Sequence, residues 1–564
     1  MVILFSLQQL LILFVIAVIC PIGLGLYLTR QASAASGDLE TIRLSTEHHN
    51  AVNRRRRIVV QYDAFSQLGV DFKQWLDYRF SYVDESGNQI DSLWWDIGAG
   101  SWAVYPGKVL ERFEHSGLRK WWDQGIDWVQ VLVDESRKRN LEVFWHHRVS
   151  EVDISPTVEL EPGHTLMMDK LNPVKKNHPD WVIKTWWWQG LWNYAVPEVR
   201  QYQLDILREL AENYEFDGIQ LDFARHVPCL PPGQQWELRD NVTELVRMVR
   251  LMSLEIEKKR GWPLLLAVKV PRNLEGCRVD GFDVETWAQQ NLVDIFTLGS
   301  RSMDVDLPAF RRITAEQNIK LQPCFDDHHA TDGYQYGSIE FLRGVFGNWW
   351  QQGADSVVTF NWSNAPPDIC KKVGATPGPL SHRQAYHEVG SPETLAYKDK
   401  IFAVERRGGY PWAEGFFGRN DTAPLPVALA NDGRPVSLTV RICDHVRAYS
   451  DKVKQITLRA VLFGAREGDE FEVRLNGVVL PLVVRDYQWK DKNIFSPAPQ
   501  PASGGADSYR VNPDQKLLRL DFTVPPRQCR FGENQISIRI IARAPYLPGV
   551  DIVLEKLEVH VDYD

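Results

Sequence analysis

No two cysteines of this chain form a CxxC pair, and no excess of positive charge accompanies its length. Its seven cysteines show no spacing suited to a structural zinc knuckle. Lysine and arginine number 64 against 73 acidic residues, a net charge of −9. That balance argues against a nucleic-acid partner, because phosphate binding wants clustered positive charge. The run Arg54–Arg57 is the exception, and it reads as a solvated linker ahead of the first strand. No glycine-rich phosphate loop follows that strand, which counts against an open dinucleotide-binding sheet.

Charge is also missing from residues 1–29, where Leu10–Leu28 is an almost unbroken apolar run. Residues 1–35 therefore read as a targeting segment. The small residues of Gln31-Ala32-Ser33-Ala34-Ala35 suit a signal-peptidase site after Ala34. The run is equally long enough to span a bilayer as an uncleaved anchor. Export follows as the expectation, with a periplasmic, extracellular or membrane-anchored product. Beyond Cys20, Cys229 could pair with Cys277 and Cys443 with Cys529; unpaired buried thiols are the alternative.

What the chain does have is tryptophan: 21 residues, 19 of them before residue 365. At 564 residues it is too long for one core. Eight apolar or β-rich runs recur: Arg57–Phe65, Ser92–Gly98, Leu141–His147, Gly218–Phe223, Leu264–Val270, Val293–Ser300, Lys320–Asp326 and Ser356–Trp362. Helical patterns separate them, the clearest being Pro197–Tyr214, with proline in its first turn and Val199, Tyr202, Ile206 and Leu210 along one face. This alternation predicts an α/β fold, a (β/α)8 TIM barrel over residues 55–400. The long connection Glu151–Val196 holds Trp181, Trp186, Trp187, Trp188 and Trp192, and long loops of this kind are usually functional. Gly374–Ser391 reads as loop. From 427 to 564 the pattern turns to alternating strands, with an Asn476-Gly477 hairpin signal, and predicts an antiparallel β-sandwich acting as an accessory domain.

The most informative segment is Asp217-Gly218-Ile219-Gln220-Leu221-Asp222-Phe223-Ala224-Arg225. An apolar strand ending in an acid puts that acid where barrel enzymes carry their chemistry; capping the next helix is the bland alternative. The other strand ends deliver Asp63, Asp96, His146, Arg148, Lys269, Arg272, Asp326, Asp327, Asn361 and Trp362. Acids and bases converging with tryptophan suit a sugar, whose C–H faces stack on aromatic rings while its hydroxyls seek carboxylates, Arg, His and Asn. Glycoside hydrolysis needs two carboxyl groups flanking the bond.

The segment Trp192-Asn193-Tyr194-Ala195-Val196-Pro197-Glu198-Val199-Arg200, followed by a helix and then Asp217–Arg225, resembles the glycoside-hydrolase-like family 10. It is more distantly similar to the α-amylase superfamily, whose fourth strand ends in a nucleophilic aspartate. The resemblance implies a glycoside hydrolase acting on an oligo- or polysaccharide, with Asp222 as nucleophile or base. It departs from the amylase pattern at Gln220, where an arginine is expected, and on the fifth strand, where Val268-Lys269-Val270-Pro271-Arg272 replaces the acidic residue. The second carboxylate is therefore sought at Asp326, then Glu275, then Asp96. A cation such as Lys269 or Arg225 would keep Asp222 ionised. Trp145, His146, Arg148, Trp192, Asn193, Arg225, Lys269, Trp362 and Asp96 are the expected sugar-binding set.

Asp326-Asp327-His328-His329-Ala330-Thr331-Asp332 also offers metal-ligand types within seven residues. No first-strand HxH pair supports a catalytic metal, so no cofactor is expected, with structural Ca²⁺ on loop carboxylates as an open alternative. The alternatives are a glycan-binding barrel without turnover and a metal-dependent carbohydrate hydrolase or deacetylase.

Overall fold

The computed structural model describes residues 41–97, 102–113, 115–150, 157–161, 164–167, 173–184, 190–223, 227–300, 302–327, 333–362, 364–407, 423–493, 514–545 and 551–564. Residues Leu44–Asp564 form one compact unit. Within it, eight parallel strands close into a barrel: β1 (Ile58–Asp63), β2 (Ile90–Asp96), β3 (Glu142–Arg148), β4 (Gly218–Asp222), β5 (Leu265–Val270), β6 (Ile295–Leu298), β7 (Lys320–Phe325) and β8 (Val357–Phe360). They run in sequence order around the ring, with β8 returning to β1. The TIM barrel expected from strand spacing is the fold observed.

The barrel interior explains the strand sequences. Its apolar layer contains Val59, Trp94, Phe144, Leu265, Ala267, Ile295, Cys324, Val358 and Phe360. Trp94 and Phe144 stack at 4.3 Å with planes 2° apart. Gly218 makes room for that stack, since a Cβ there would lie 2.3 Å from the Phe144 ring. A polar chain crosses the same interior. Gln61 donates to Gln220 (2.6 Å), Gln220 to Thr297 (2.7 Å), Gln322 to Thr297 (2.9 Å) and Ser356 to Gln322 (2.9 Å). Buried amides persist in a core only when bonded in this way, so Gln220, an anomaly by the amylase pattern, has a structural use here.

The N-terminal end of the barrel is closed by charge. The helix Thr46–Val52, capped by Ser45, carries His48 beneath the strands. There its Nδ1 meets Glu257 at 2.6 Å and its Nε2 meets Asp294 at 3.0 Å, while Arg250 pairs with Asp294 at 2.7 Å. In the run Arg54–Arg57, expected as a solvated linker, Arg54 and Arg55 are indeed exposed, while Arg56 and Arg57 are drawn into the fold. Arg56 is buried and grips Glu142 through Nε (2.7 Å) and Nη2 (2.6 Å), and Arg57 pairs with Asp91 at 2.9 Å. Carboxylates at the starts of β2 and β3, invisible as partners in a linear reading, recruit these arginines.

After β8 the chain forms the helices Pro367–Val373, Leu380–Tyr386 and Pro392–Leu395, the second of them within the stretch read as loop. It then enters two antiparallel sheets built from β9 (Lys400–Ala403), β10 (Val427–Ala428), β11 (Val436–Ile442), β12 (Val453–Phe463), β13 (Glu470–Leu475), β14 (Val478–Val479), β15 (Leu482–Trp489), β16 (Leu517–Thr523), β17 (Gly532–Ala542) and β18 (Val553–Tyr563). One sheet runs β9-β18-β12-β16-β15, with β10 also on β18; the other runs β11-β17-β13-β14. The Asn476-Gly477 turn forms with both residues at positive φ (50° and 86°), pairing Leu475 with Val478. The barrel helix Ile339–Gln351 packs directly on the first sandwich strand, for a Cβ on Gly344 would lie 2.0 Å from the Ile401 carbonyl.

Among the described residues Cys229, Cys277, Cys324, Cys370, Cys443 and Cys529 are all free. The pairings considered from sequence do not form, and the alternative of unpaired thiols holds. No helix among the described residues is long and apolar enough to cross a membrane; residues 1–40, which carry the expected signal or anchor, lie outside them.

Candidate active site

The C-terminal ends of the strands gather three groups of side chains. At the centre is Asp222, 1% exposed at the end of β4. Its Oδ2 lies 2.7 Å from His146 Nε2 and 4.0 Å from Lys269 Nζ. Strand register explains the arrangement: Asp222 stands beside Arg148 on β3 and Lys269 on β5, and His146 shares their inward face two residues earlier. Lys269 donates to Gln61 Oε1 at 3.2 Å and sits 3.8 Å above the Phe360 ring. The polar chain beneath the site thus fixes the ammonium that faces Asp222.

A second group surrounds Arg148. Its Nη2 reaches Asp63 Oδ1 at 2.5 Å, and its Nε pairs with Asp96. Asn361 completes the group, donating to Asp63 Oδ2 at 2.8 Å and accepting from the Asp63 amide at 2.9 Å. Asn361 holds a left-handed φ of 55°, a conformation that clusters at functional sites. Asp96 is therefore an ion-pair partner of Arg148, the bland reading of that residue.

The third group follows β7. Asp326 is fully buried, with its amide bonded to the Ser300 carbonyl at 2.6 Å. Asp327 accepts from His382 Nε2 at 2.9 and 3.0 Å, and Trp362 stacks on the His382 ring at 4.0 Å and 11°. Burial pushes the nearby Cys324 thiol up to about 12; Lys269 opposes the shift, while Asp326 and Asp222 add to it. Three buried ring nitrogens in these groups, His146 Nδ1, His382 Nδ1 and Trp362 Nε1, find no hydrogen-bond partner among the described residues. Each such orphan costs about 1–3 kcal/mol and is the kind of group a polar ligand satisfies.

The other expected residues sit elsewhere. Trp145 points out of the barrel, packing on Tyr105 (6.0 Å) and Phe216 (5.7 Å). His147 shares that outer face, bonded to Gln203 at 2.8 Å, and burial drives its pKa down to about 4. Trp192 is fully buried against Tyr202 and under Lys175 Nζ. Asn193 is half-buried and accepts from the Ala195 amide at 3.1 Å, shaping the turn into the helix Pro197–Asn213. Glu275 is exposed in the first turn of the helix Leu274–Asp280, a solvated position. Arg272 turns toward the sandwich junction, meeting Glu405 at 2.5 Å. Arg225, Trp186, Trp187, Trp188, His328 and His329 lie outside the described residues. Among those described, no group of three or more His, Cys, Asp or Glu side chains is arranged to hold a metal. His382 was missed from sequence because it sits in a segment read as loop.

A closed (β/α)8 barrel with a buried Asp–His–Lys cluster at its C-terminal rim is an architecture suited to carbohydrate chemistry. Residues 81–235, from before β2 through Asp222, match the family Glycosyl hydrolase-like 10, as the resemblance at Trp192–Arg225 led one to expect. Over 157 residues the chain is 28% identical to glycosyl hydrolase DigH of Escherichia coli K12, covering 27% of this chain and 34% of that protein. The chain thus spans about a third of the length of this curated relative. Solved structures that the chain matches include α-L-fucosidase isoenzyme 2 from Paenibacillus thiaminolyticus (13% identity, TM-score 0.39, 62% of this chain and 51% of that one). The glycoside hydrolase domain of PgaB (BpsB) from Bordetella bronchiseptica is another (11% identity, TM-score 0.37, 60% and 99%).

Proposed function

We propose that this protein is a glycoside hydrolase acting on an oligo- or polysaccharide, with Asp222 as its nucleophile or base. The observation that carries the reading is the Asp222 carboxylate at the end of β4, held by His146 at 2.7 Å and faced by Lys269 at 4.0 Å. A cation at that range favours the charged carboxylate, the form that attacks an anomeric carbon or activates water. Asp326 is the proposed acid, because it too is buried at a strand end. Glu275, exposed on its helix, falls behind it. Arg148, Asp63 and Asn361 would bind sugar hydroxyls, and Trp362 with His382 would wall the far side. The reaction as proposed uses no cofactor, and export, cleaved or anchored, remains part of the proposal.

One observation favours a second reading. The fifth strand presents Lys269 where the amylase pattern has its acid, which suits a barrel that binds glycan without turnover. Reducing-end release from a panel of neutral and amino-sugar polysaccharides separates the two. Hydrolysis that survives EDTA and falls by about 10²-fold or more in Asp326→Asn supports the proposed pair. Binding with no release by the wild type supports the non-hydrolytic barrel, and abolition by EDTA would point to a metal-dependent hydrolase instead.

A further inference from the structure

Far from the rim, the barrel and the sandwich frame an open cavity of about 440 Å³. Trp350 comes from the C-terminal turn of the helix Ile339–Gln351, which follows β7 and runs back toward the strand N-termini. The cavity therefore lies at the opposite end of the barrel from Asp222. Tyr397 enters from the stretch before β9, Tyr449 from the β11–β12 turn, and Phe531 from the residue before β17.

Three features of this cavity are unlike a packing defect. Its aromatic rings are open to solvent: Tyr397, Tyr449 and Phe531 are 42%, 43% and 46% exposed. Tyr397 and Tyr449 stand nearly perpendicular, at 85° with centroids 5.4 Å apart, an edge-to-face pair that fixes the angle between the two partly exposed rings. Tyr397 keeps this pose at a φ of 55°, a strained conformation for a bulky residue that the surrounding structure must over-determine. Lys452 Nζ supports its ring from 3.9 Å.

The polar lining is built as well. Asp444 is fixed by Lys400 Nζ at 2.8 Å and the Tyr563 hydroxyl at 2.6 Å, so its charge is compensated. The exposed His445 ring lies on Phe531 at 3.7 Å and 4°. Partly exposed aromatic rings set against carboxylate, imidazole and phenol groups match a pyranose, with its apolar C–H face and its ring of hydroxyls. The volume falls in the range of small-ligand pockets, and with the carboxylate compensated a neutral sugar fits better than a charged one.

We infer that this cavity is a secondary glycan site, holding a neutral pyranose unit of a polymer whose other segments engage the barrel rim. The inference rests on the glycan-acting reading of the barrel. Tethering a long chain at a second point raises its effective concentration at the first without any new contact there.

The test is affinity electrophoresis through gels containing hydroxyethyl cellulose, glycol chitin or soluble starch, with wild type, Asp222→Asn and the double variant Tyr397→Ala/Tyr449→Ala. Thermal melts identify any misfolded variant, and Tyr449→Phe, which keeps the ring, serves as a milder control. The expected result is retardation of wild type, Asp222→Asn and Tyr449→Phe in at least one polymer, with about a tenfold weaker affinity in the folded double variant. Retardation unchanged in the double variant, or retardation in none of the gels, overturns the site. Retardation lost equally in Asp222→Asn also overturns it, since the binding would then belong to the rim. Retardation that depends on the tyrosines in a protein that hydrolyses none of the polymers supports the cavity while counting against the hydrolase reading.

Discussion

His48 offers the sharpest physical prediction. It is fully buried beneath the barrel, between Glu257 at 2.6 Å and Asp294 at 3.0 Å. Burial alone would depress its pKa, but hydrogen bonds to Asp294 and then Glu257 outweigh that, raising it from 6.5 to about 9. Asp294 is displaced the other way, well below the usual carboxylate range: burial opposes the shift, and Arg250 and His48 drive it. A rise from 6.5 to about 9 corresponds to roughly 3 kcal/mol. Because the folded-state pKa is raised, this stability is fully present below about pH 6.5 and is lost as pH rises through about 9. The perturbation is His48→Gln, and the assay is urea unfolding of both proteins at pH 6, 8 and 10. The expected difference between them is about 3 kcal/mol at pH 6, roughly half that at pH 8, and near zero at pH 10. Comparing the two proteins cancels the lysines and tyrosines that titrate in the same range. A difference that stays constant from pH 6 to 10 would refute a charged His48 at the barrel floor.

Other consequences are equally specific. Gly218→Ala drives a methyl into the Phe144 ring and should cost about 1–3 kcal/mol, read as a lowered Tm; an unchanged Tm would mean the Trp94–Phe144 stack is free to move. Arg148→Met removes the cation shared by Asp63 and Asp96, and breaking a buried pair this way should destabilise by about 3 kcal/mol, measured by urea unfolding. His382→Phe keeps a ring under Trp362 but loses the bond to Asp327. It should lower the Tm, because the buried Asp327 carboxylate loses its partner, and the folded variant should hydrolyse glycan at least about tenfold more slowly; unchanged turnover would remove His382 from the site.

Strand positions were largely legible because each run is apolar and bounded by turn residues. All eight barrel strands lie inside or within two residues of the expected runs. Direction was not legible. A strand buried on both faces shows no alternation, so Trp145 and His146 look alike in sequence, although one packs outward on Tyr105 and the other holds Asp222. Arg56 looked solvated because its partner Glu142 lies 86 positions away. His382 was hidden for a different reason. The glycine and proline around it suggested loop, while tertiary packing of Leu380–Tyr386 makes it a helix. Asp222 itself was readable, since burying a strand calls for apolar side chains and gives no folding benefit to an acid at its end. His146 and Lys269, which face it, were likewise named from the ends of their strands, whereas His382 comes from a distant helix and was not.

The central claim is that the Asp222 carboxylate performs glycoside hydrolysis, and Asp222→Asn tests it with the fewest other changes. The amide preserves shape and can still bond His146, so fold and glycan binding should persist. The account predicts that reducing-end release by the folded variant falls by at least about 10²-fold on whichever polysaccharide the wild type cleaves. Release by Asp222→Asn at the wild-type rate would contradict it.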